Sequence, residues 1–119
     1  MHELSLCQAL LEQVETITLQ HGAQRVVRIL LRIGPLSGVE PELLRHAYPL
    51  VAAGTVAESA ELVIEPTEIR VHCRRCGAET PATPRYLLCG ECGAWETQLI
   101  SGDELLLAHL ELETADSAP

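Results

Sequence analysis

The sequence predicts an α+β fold in two parts: a small domain of two helices and a mixed sheet, and a second domain inserted into it around four cysteines. Apolar residues recur at helical spacing in two stretches and alternate in three others, and two Cys-x-x-Cys pairs interrupt the chain before the last alternating stretch. We expect the main domain to comprise residues 1–68 and 100–113, the inserted domain residues 69–99, and a flexible tail residues 114–119.

The first helix is expected over residues 4–21. Val14 and Ile17 belong to an apolar face at helical spacing, and Gly22 is a natural stop. Cys7 lies on the same face, so we interpret it as a small buried apolar residue and not as a metal ligand.

The second helix is expected over residues 41–53. Pro41 suits its first turn, where no backbone donor is needed. Pro49 is expected to kink or shorten the helix, since proline removes an intrahelical hydrogen bond. Gly54 is expected to end it.

Three stretches are expected to form strands. They cover residues 25–33, residues 60–72 with an interruption at Pro66, and residues 104–113. In the first of them, alternation predicts that one set of side chains points to the core: Val27, Ile29, Leu31 and Ile33. The strands beside the cysteine segment are expected to pair and form the neck of the inserted domain.

Composition narrows the class of protein. Apolar residues make up 47% of the chain and aromatic residues only 3%, so the core must be aliphatic. The net charge of −9 is unsuited to general binding of nucleic acid or of anionic membranes. Neither a membrane span nor a signal peptide is recognisable, so we expect a cytoplasmic protein whose thiols stay reduced.

The four paired cysteines predict one metal site. Cys73 and Cys76 form the first Cys-x-x-Cys pair, and Cys89 and Cys92 form the second. A glycine follows each pair and lets the chain turn back towards the sulfur atoms. Two such knuckles build a closed four-thiolate zinc site with no open position for catalysis. A redox iron site is the alternative with the same spacing, whereas disulfides would need an oxidising compartment.

The N-terminus offers a different set of donors. The imidazole and amide of His2 form a chelate ring, and the amide of Glu3 or the amine of Met1 closes another beside it. Such a strong in-plane field favours square-planar nickel(II) or copper(II) over zinc. Three local donors leave the position opposite the His2 amide to another ligand. A histidine at position 2 of an ordinary exposed N-terminus is the alternative interpretation.

These features together resemble the HypA/HybF family of hydrogenase nickel-insertion accessory proteins. The resemblance is carried by the opening Met-His-Glu-Leu-Ser, by Ile33-Gly34 at the end of a strand, and by the two knuckles, in that order over nearly the whole chain. It implies a nickel-binding domain with an inserted zinc domain. By motif, His2 and Glu3 carry over as nickel-site residues, and the four knuckle cysteines carry over as zinc ligands. Glu40 is expected to contact the nickel ligands without binding the metal itself.

The resemblance also implies a task. A nickel metallochaperone of this family delivers nickel(II) to the large-subunit precursor of [NiFe]-hydrogenase, together with a HypB-type GTPase, and relatives also serve urease maturation. We therefore expect hydrogenase maturation without enzymatic activity, structural zinc, nickel as transient cargo, no nucleic-acid or membrane partner, and a monomer or weak homodimer. No catalytic triad and no phosphate-binding loop stands out.

The sequence departs from the family pattern at one place. Some relatives carry a histidine in or beside the knuckles, whereas Gly77, Gly93 and Gln98 offer no imidazole here. The candidates for the fourth nickel ligand are then the Met1 amine, the Glu3 carboxylate, Glu40 and His72.

Two other classes of function are compatible with the knuckles. A zinc ribbon that binds nucleic acid or protein would use a local set of arginines: Arg70, Arg74, Arg75 and Arg85. A small iron electron-transfer protein would instead be coloured and redox-active.

Overall fold

The computed structural model describes residues 2–114 and contains two helices and six strands. In chain order they are α1 (His2–Gln20), β1 (Ala23–Ile33), α2 (Pro41–Ala52), β2 (Glu61–Pro66), β3 (Arg70–Cys73), β4 (Glu79–Pro81), β5 (Thr97–Ser101) and β6 (Leu105–Thr114). Two three-stranded sheets have the orders β2-β1-β6 and β4-β3-β5. The predicted α+β class is thereby confirmed. Within the described residues, no helix is long and apolar enough to cross a membrane.

The chain divides into two compact units. The first comprises the described residues of Met1–Leu31, Val39–Ile64 and Leu107–Pro119. The second comprises Arg32–Gly38 and Glu65–Leu106, and it contains all four knuckle cysteines.

The two helices pack against each other through aliphatic side chains. Leu11 and Val14 of α1 and Leu44 of α2 are almost completely buried. Cys7 is fully buried on the same face, as predicted, and its thiol donates a weak hydrogen bond to the Leu44 carbonyl (3.7 Å). Burial raises the pKa of this thiol, so it stays protonated and acts as a packing group.

The helices differ from the prediction mainly at their ends. Helix α1 begins at His2, two residues earlier than expected, and ends at Gln20 before Gly22, whose φ is +62°. Helix α2 continues through Pro49 to Ala52. Its second turn anchors Tyr48, whose hydroxyl donates to the Ala57 carbonyl (2.7 Å). Burial raises the pKa of Tyr48 to about 12.

The inward-facing set of β1 was predicted wrongly at its start. Val27 is 41% exposed, and Val26 is buried in its place, whereas Ile29, Leu31 and Ile33 are buried as expected. Strict alternation cannot give this register because Val26 and Ile29 are three residues apart. Residue spacing alone therefore misplaced one side chain.

The outward-facing side of β1 carries arginines that pair with glutamates of both neighbouring strands. Arg28 contacts Glu61 of β2 (2.7 Å) and Glu111 of β6 (3.3 Å). The hydrogen bond that Arg28 donates to the Glu61 carboxylate is the main reason that the pKa of Arg28 is raised. Arg25 extends the same pattern to Glu113. These exposed pairs fix the pairing of the three strands more than they add stability.

The predicted pairing of the strands on either side of the cysteine segment, residues 60–72 and 104–113, is wrong. The last strand, β6, pairs with β1, and β3 pairs instead with β5, a strand that the sequence did not predict. Strand β3 runs antiparallel to β5, with Val71 opposite Leu99 and His72 opposite Gln98. It also pairs with β4, a short strand that the sequence did not predict.

Candidate metal centre

The first knuckle is organised around the Cys73 sulfur. The backbone amides of Arg75 and Cys76 donate to this sulfur at 3.3 and 3.4 Å. Gly77 has a φ of +79° and returns the chain so that its amide donates to the Cys73 carbonyl (3.0 Å). This left-handed conformation is strained for residues with a Cβ, which explains the glycine.

The second knuckle repeats this geometry. The amides of Glu91 and Cys92 donate to the Cys89 sulfur, both at 3.4 Å. Gly93 has a φ of +74°, and its amide donates to the Cys89 carbonyl (3.0 Å). Both sulfurs that receive amides are thus prepared to carry negative charge before any metal binds.

The two knuckles bring their four sulfur atoms together. All four lie within 4.8 Å of one another, with Cys73–Cys92 and Cys76–Cys89 sulfur distances of 3.6 Å. Cys73 and Cys89 are buried, whereas Cys76 and Cys92 are exposed. Among the described residues, this is the one set of three or more His, Cys, Asp or Glu side chains with ligand atoms close enough to hold a metal ion.

The separations fit one tetrahedral ion. A zinc–sulfur distance of about 2.3 Å places two tetrahedral ligands about 3.8 Å apart. The observed 3.6 Å is close to that value and far above the length of about 2.05 Å of a disulfide bond. Four thiolates at tetrahedral spacing suit zinc and also iron.

The four thiols differ in acidity. The amide of Cys76 and then that of Arg75 stabilise the Cys73 thiolate and lower its pKa to about 6. The pKa of Cys89 is lowered in the same way by the amides of Cys92 and Glu91. The Ala78 amide donates to the Cys76 sulfur, which lowers the pKa of Cys76. The hydrogen bond between the Cys76 thiol and the Cys89 sulfur outweighs this effect, so the pKa of Cys76 rises to about 12.

The pKa of the fourth cysteine, Cys92, is raised like that of Cys76. The Ala94 amide donates to Cys92, but the hydrogen bond with Cys73 and burial raise its pKa. Without a metal, two thiols therefore share their protons with two thiolates. A divalent cation would replace both protons.

The predicted nickel-site residues lie at the start of α1. Met1 lies outside the described residues, and His2 is exposed in the first turn of the helix. Amides in a first helical turn have no intrahelical acceptor, so they are available to other partners. The structure does not gather the side chains of His2, Glu3 and Glu40 into a second close cluster of ligand atoms among the described residues.

Glu3 and Glu40 are nevertheless linked. The Glu3 carboxylate accepts a hydrogen bond from the Glu40 amide (3.4 Å), and its own backbone amide also donates to it. These two bonds, its own amide first, lower the pKa of Glu3. The Glu40 side chain is exposed just before α2. Glu40 therefore adjoins Glu3 through its backbone.

His46 is a residue that the sequence reasoning overlooked. It lines an apolar depression together with Glu3, Leu4 and Leu50. On α2, Leu43, His46 and Leu50 are spaced by three and four residues, so the helical period alone would have placed them on one face. What the sequence could not show is that this face adjoins Glu3.

His72 and Gln98 lie in the other unit. His72 is on β3, opposite both Gln98 of β5 and Glu79 of β4. Its Nδ1 atom is 3.7 Å from a Glu79 carboxylate oxygen. The imidazole is therefore in reach of a carboxylate of its own sheet.

Comparison with known proteins gives consistent matches over most of the chain. A family model described as hydrogenase/urease nickel incorporation, metallochaperone, hypA matches residues 1–112. The chain is 48% identical over 114 residues to the hydrogenase maturation factor HypA of Nitrosospira multiformis, covering 96% of this chain and 99% of the relative. It is 42% identical over 113 residues to that of Aquifex aeolicus, covering 95% and 98%.

Solved structures give the same match at the level of the fold. The solution structure of the Ni metallochaperone HypA from Helicobacter pylori superposes with a TM-score of 0.70 at 23% identity, covering 94% of this chain and 97% of the other. A second HypA solution structure gives a TM-score of 0.73 at 24% identity. At such identities the likeness shows the fold alone.

Proposed function

This chain belongs to the HypA family of hydrogenase/urease nickel-incorporation metallochaperones, and we propose that it binds nickel(II) at its N-terminus and delivers it to the large-subunit precursor of a [NiFe]-hydrogenase. The observation that carries the proposal is the Met-His-Glu motif, whose His2 and Glu3 lie in the first turn of α1. A carrier must give up its cargo, and ligands at a chain end exchange more readily than ligands in a closed cage.

The nickel donors are proposed to be the His2 imidazole with the backbone amides of His2 and Glu3, or the Met1 amine in place of one amide. The first helical turn leaves these amides without intrahelical acceptors. Since the Glu3 amide now donates to its own carboxylate, nickel would displace that bond. The same carboxylate would then be free to turn towards the metal or to hold the Glu40 amide.

The fourth position is proposed to be filled by an exchangeable group. The hydrogen bond from the Glu40 amide to the Glu3 carboxylate supports both residues as candidates for this position. His46 joins the earlier candidates because it borders the same depression as Glu3. The Met1 amine and His72 are also candidates for the fourth nickel ligand. A ligand from a partner protein could take this position during transfer.

The four-cysteine site is proposed to hold structural zinc through Cys73, Cys76, Cys89 and Cys92. Zinc would neutralise two of the four thiolate charges and lock both knuckles together. With all four positions filled by protein sulfur, the ion has no site for substrate. The assignment of zinc over iron rests on the absence of any redox role in nickel transfer.

The remaining parts of the proposal concern its setting. We place the protein in the cytoplasm, where the thiols stay reduced. A HypB-type GTPase is the proposed partner in nickel supply, nucleic acid and membranes are not proposed partners, and the chain is proposed to act as a monomer or weak homodimer. It is proposed to carry nickel without catalysing a reaction.

A nickel titration of the zinc-loaded chain tests the N-terminal site. His2→Ala should abolish tight nickel binding, while His21→Ala, at the other end of α1, should leave it unchanged. Adding one residue before Met1 should weaken binding if the amine is a ligand and spare it if internal amides suffice. Nickel absorption bands and X-ray absorption spectra give the donor set.

Two results would contradict the proposal. Unchanged nickel binding in His2→Ala would remove the N-terminal site, and sulfur donors around nickel would place the cargo in the cysteine cage instead. Zinc content serves as the control, because none of these changes touches a cysteine.

A further inference from the structure

The inserted cysteine segment exposes most of the aromatic surface of this protein. The chain has one tryptophan, two tyrosines and no phenylalanine. Tyr48 is buried in the helical core, but Trp95 is 76% exposed and Tyr86 is 64% exposed. A chain that builds its core from aliphatic residues thus keeps two of its three large rings in contact with solvent. Tryptophan and tyrosine are residue types that dominate binding energy at protein interfaces.

A hydrogen bond brings the chain segment that contains Tyr86 next to the one that contains Trp95. Arg74, Trp95, Glu96 and Thr97 line a shallow depression. The Thr97 hydroxyl donates to the Leu87 carbonyl (2.6 Å), which brings the segment with Tyr86 and Leu87 against the depression. We call Arg74 and Trp95, together with the adjoining exposed segment Arg85, Tyr86 and Leu87, the Trp95 face.

The charges of this face are arranged differently from those elsewhere in the described chain. Most arginine side chains in residues 2–114 are ion-paired with a glutamate: Arg25, Arg28, Arg32, Arg45, Arg70 and Arg75. Arg74 and Arg85 are the two that form no ion pair within those residues. With 17 acidic residues against eight arginines, partners for both were plentiful in the sequence. Both unpaired cations belong to the Trp95 face.

The metal centre does not account for this arrangement. Arg75 follows Arg74 in the same knuckle and pairs with Glu96 at 3.7 Å, so proximity to the thiolates does not prevent pairing. Nor would screening of thiolate charge require Trp95 and Tyr86 to be exposed. An apolar surface with free cations instead fits a ligand that has apolar side chains and carboxylates.

We propose that the Trp95 face docks a partner protein through a segment that combines apolar side chains with acidic ones. Apolar side chains of that segment would pack on Trp95 and Leu87, and its carboxylates would pair with Arg74 and Arg85. The inference does not rest on nickel binding, since none of these residues belongs to the proposed nickel site.

A selection from a random dodecapeptide library on the intact, zinc-loaded chain tests this chemistry. Enriched peptides should carry Asp or Glu beside Leu, Ile, Val or an aromatic residue, and they should be lost when Trp95→Ala is the target. No enrichment over an unrelated acidic protein, or enrichment of basic peptides, would overturn the proposal. Nickel is left out, so failure here and failure of the nickel titration are separate results.

Trp95 is the single tryptophan, so its fluorescence reports directly on the face. Adding an enriched peptide should shift the emission to shorter wavelength as the ring leaves water. Arg74→Gln should weaken the peptide about tenfold, the effect of losing one charge pair of about 1.4 kcal/mol. Arg45→Gln is the matched control, because Arg45 lies on α2 and pairs with Glu42. Equal weakening by both variants would overturn the assignment of Arg74.

Two other occupants give distinguishable results. A mixed-sequence RNA oligonucleotide that shifts Trp95 emission at physiological salt more strongly than the peptide would show a nucleic-acid face instead. A shift that grows with protein concentration alone, with dimers in sedimentation, would show a second copy. Either result would overturn the docking of an acidic protein segment.

Discussion

Gly34 lies where two stretches of backbone approach too closely for any side chain. A Cβ at this position would be 2.1 Å from the Gly102 carbonyl oxygen. The Gly34 amide donates to the Glu104 carbonyl, and the Leu36 amide donates to Gly102 (2.7 Å). The sequence predicted that a strand ends at Gly34. It could not show the partner segment 68 residues later, because that contact is set by tertiary structure.

Replacing Gly34 by alanine is therefore expected to destabilise the fold strongly. The methyl group cannot move away from backbone atoms, and overpacking of this kind costs about 1–3 kcal/mol or more. Gly38→Ala is the matched control: its φ is +78°, but no atom lies within 4 Å of the added Cβ. The control should cost about 1 kcal/mol from backbone strain alone. Urea unfolding measures both, and equal losses would contradict the close approach.

The carboxylate of Glu104 ties the same region together. It accepts hydrogen bonds from the Thr67 hydroxyl (2.8 Å) and the Gly102 amide (2.9 Å). The Thr67 bond is the main reason that the pKa of Glu104 is lowered. A lowered pKa contributes stability above the unfolded value and loses it as the pH falls through the folded value. Glu104→Gln should therefore reduce stability at neutral pH by about 1–2 kcal/mol and change it less at acid pH. Urea unfolding at both pH values measures this, and equal losses would contradict it.

The acidity of the knuckle thiols predicts how many protons zinc displaces. At neutral pH, Cys73 with a pKa of about 6 is a thiolate and Cys76 with a pKa of about 12 is a thiol. The pKa of Cys89 is lowered like that of Cys73, and the pKa of Cys92 is raised like that of Cys76. Binding should therefore release fewer than four protons at pH 7, because Cys73 is already ionised there, and about four near pH 5. Affinity should accordingly weaken as the pH falls.

Isothermal titration in buffers of different ionisation enthalpy counts these protons. Release of four protons already at pH 7 would mean that the amides do not stabilise Cys73 and Cys89 as thiolates. Cys7 serves as the internal control, since its buried thiol should release none.

At the scale of elements, sequence pattern was most successful where local geometry decides. Both helices were located by their period, and each knuckle glycine adopts the left-handed conformation expected of a tight return. The start of β1 was misplaced because the choice between Val26 and Val27 depends on what packs against the strand. Strands β4 and β5 were missed because three and five residues are too few to show a clear alternation. The neighbours of Glu3 were likewise invisible until α1 and α2 were packed together.

Helix α2 offers a clean test of how packing holds the helical pair. Leu44 is 1% exposed and Leu50 is 77% exposed on the same helix. Leu44→Ala should cost about 2–5 kcal/mol, because it leaves a cavity beside α1. Leu50→Ala changes helix propensity equally but should stay within about 0.5 kcal/mol. Thermal or urea unfolding gives both values, and similar losses would mean that the face of α2 is assigned wrongly.

On the scale of the whole molecule, the resemblance seen in the sequence is confirmed by family matches that span nearly the entire chain. The prediction succeeded because metal sites constrain residue type and spacing together, and the knuckles combine with the N-terminal motif in a fixed order. Without these motifs, the sequence would have predicted only a small acidic α+β protein and no function. Which arginines form no ion pair among the described residues, by contrast, depends on which side chains meet in space.

The knuckle segment and the pair of helices are stabilised by different means, so removing metal should unfold the first and leave the second folded. The buried cluster around the knuckles consists of Cys73, Cys89 and Ala94, with Ala78 packed against it, so its core is largely the metal site itself. The helical unit instead buries aliphatic side chains such as Leu11 and Leu44. Structural zinc contributes about 10–16 kcal/mol to the folding of small zinc modules, which a few alanines cannot replace.

Chelation is therefore expected to unfold the knuckle segment while α1 and α2 persist. Amide hydrogen exchange resolved by residue measures this: protection should vanish over residues 73–96 and remain in the helices, and added zinc should restore it. Circular dichroism should show little loss of helix over the same titration. If the helical amides lost protection together with the knuckles, the molecule would fold as one cooperative unit, and zinc would then be needed for the N-terminal nickel donors to be presented at all.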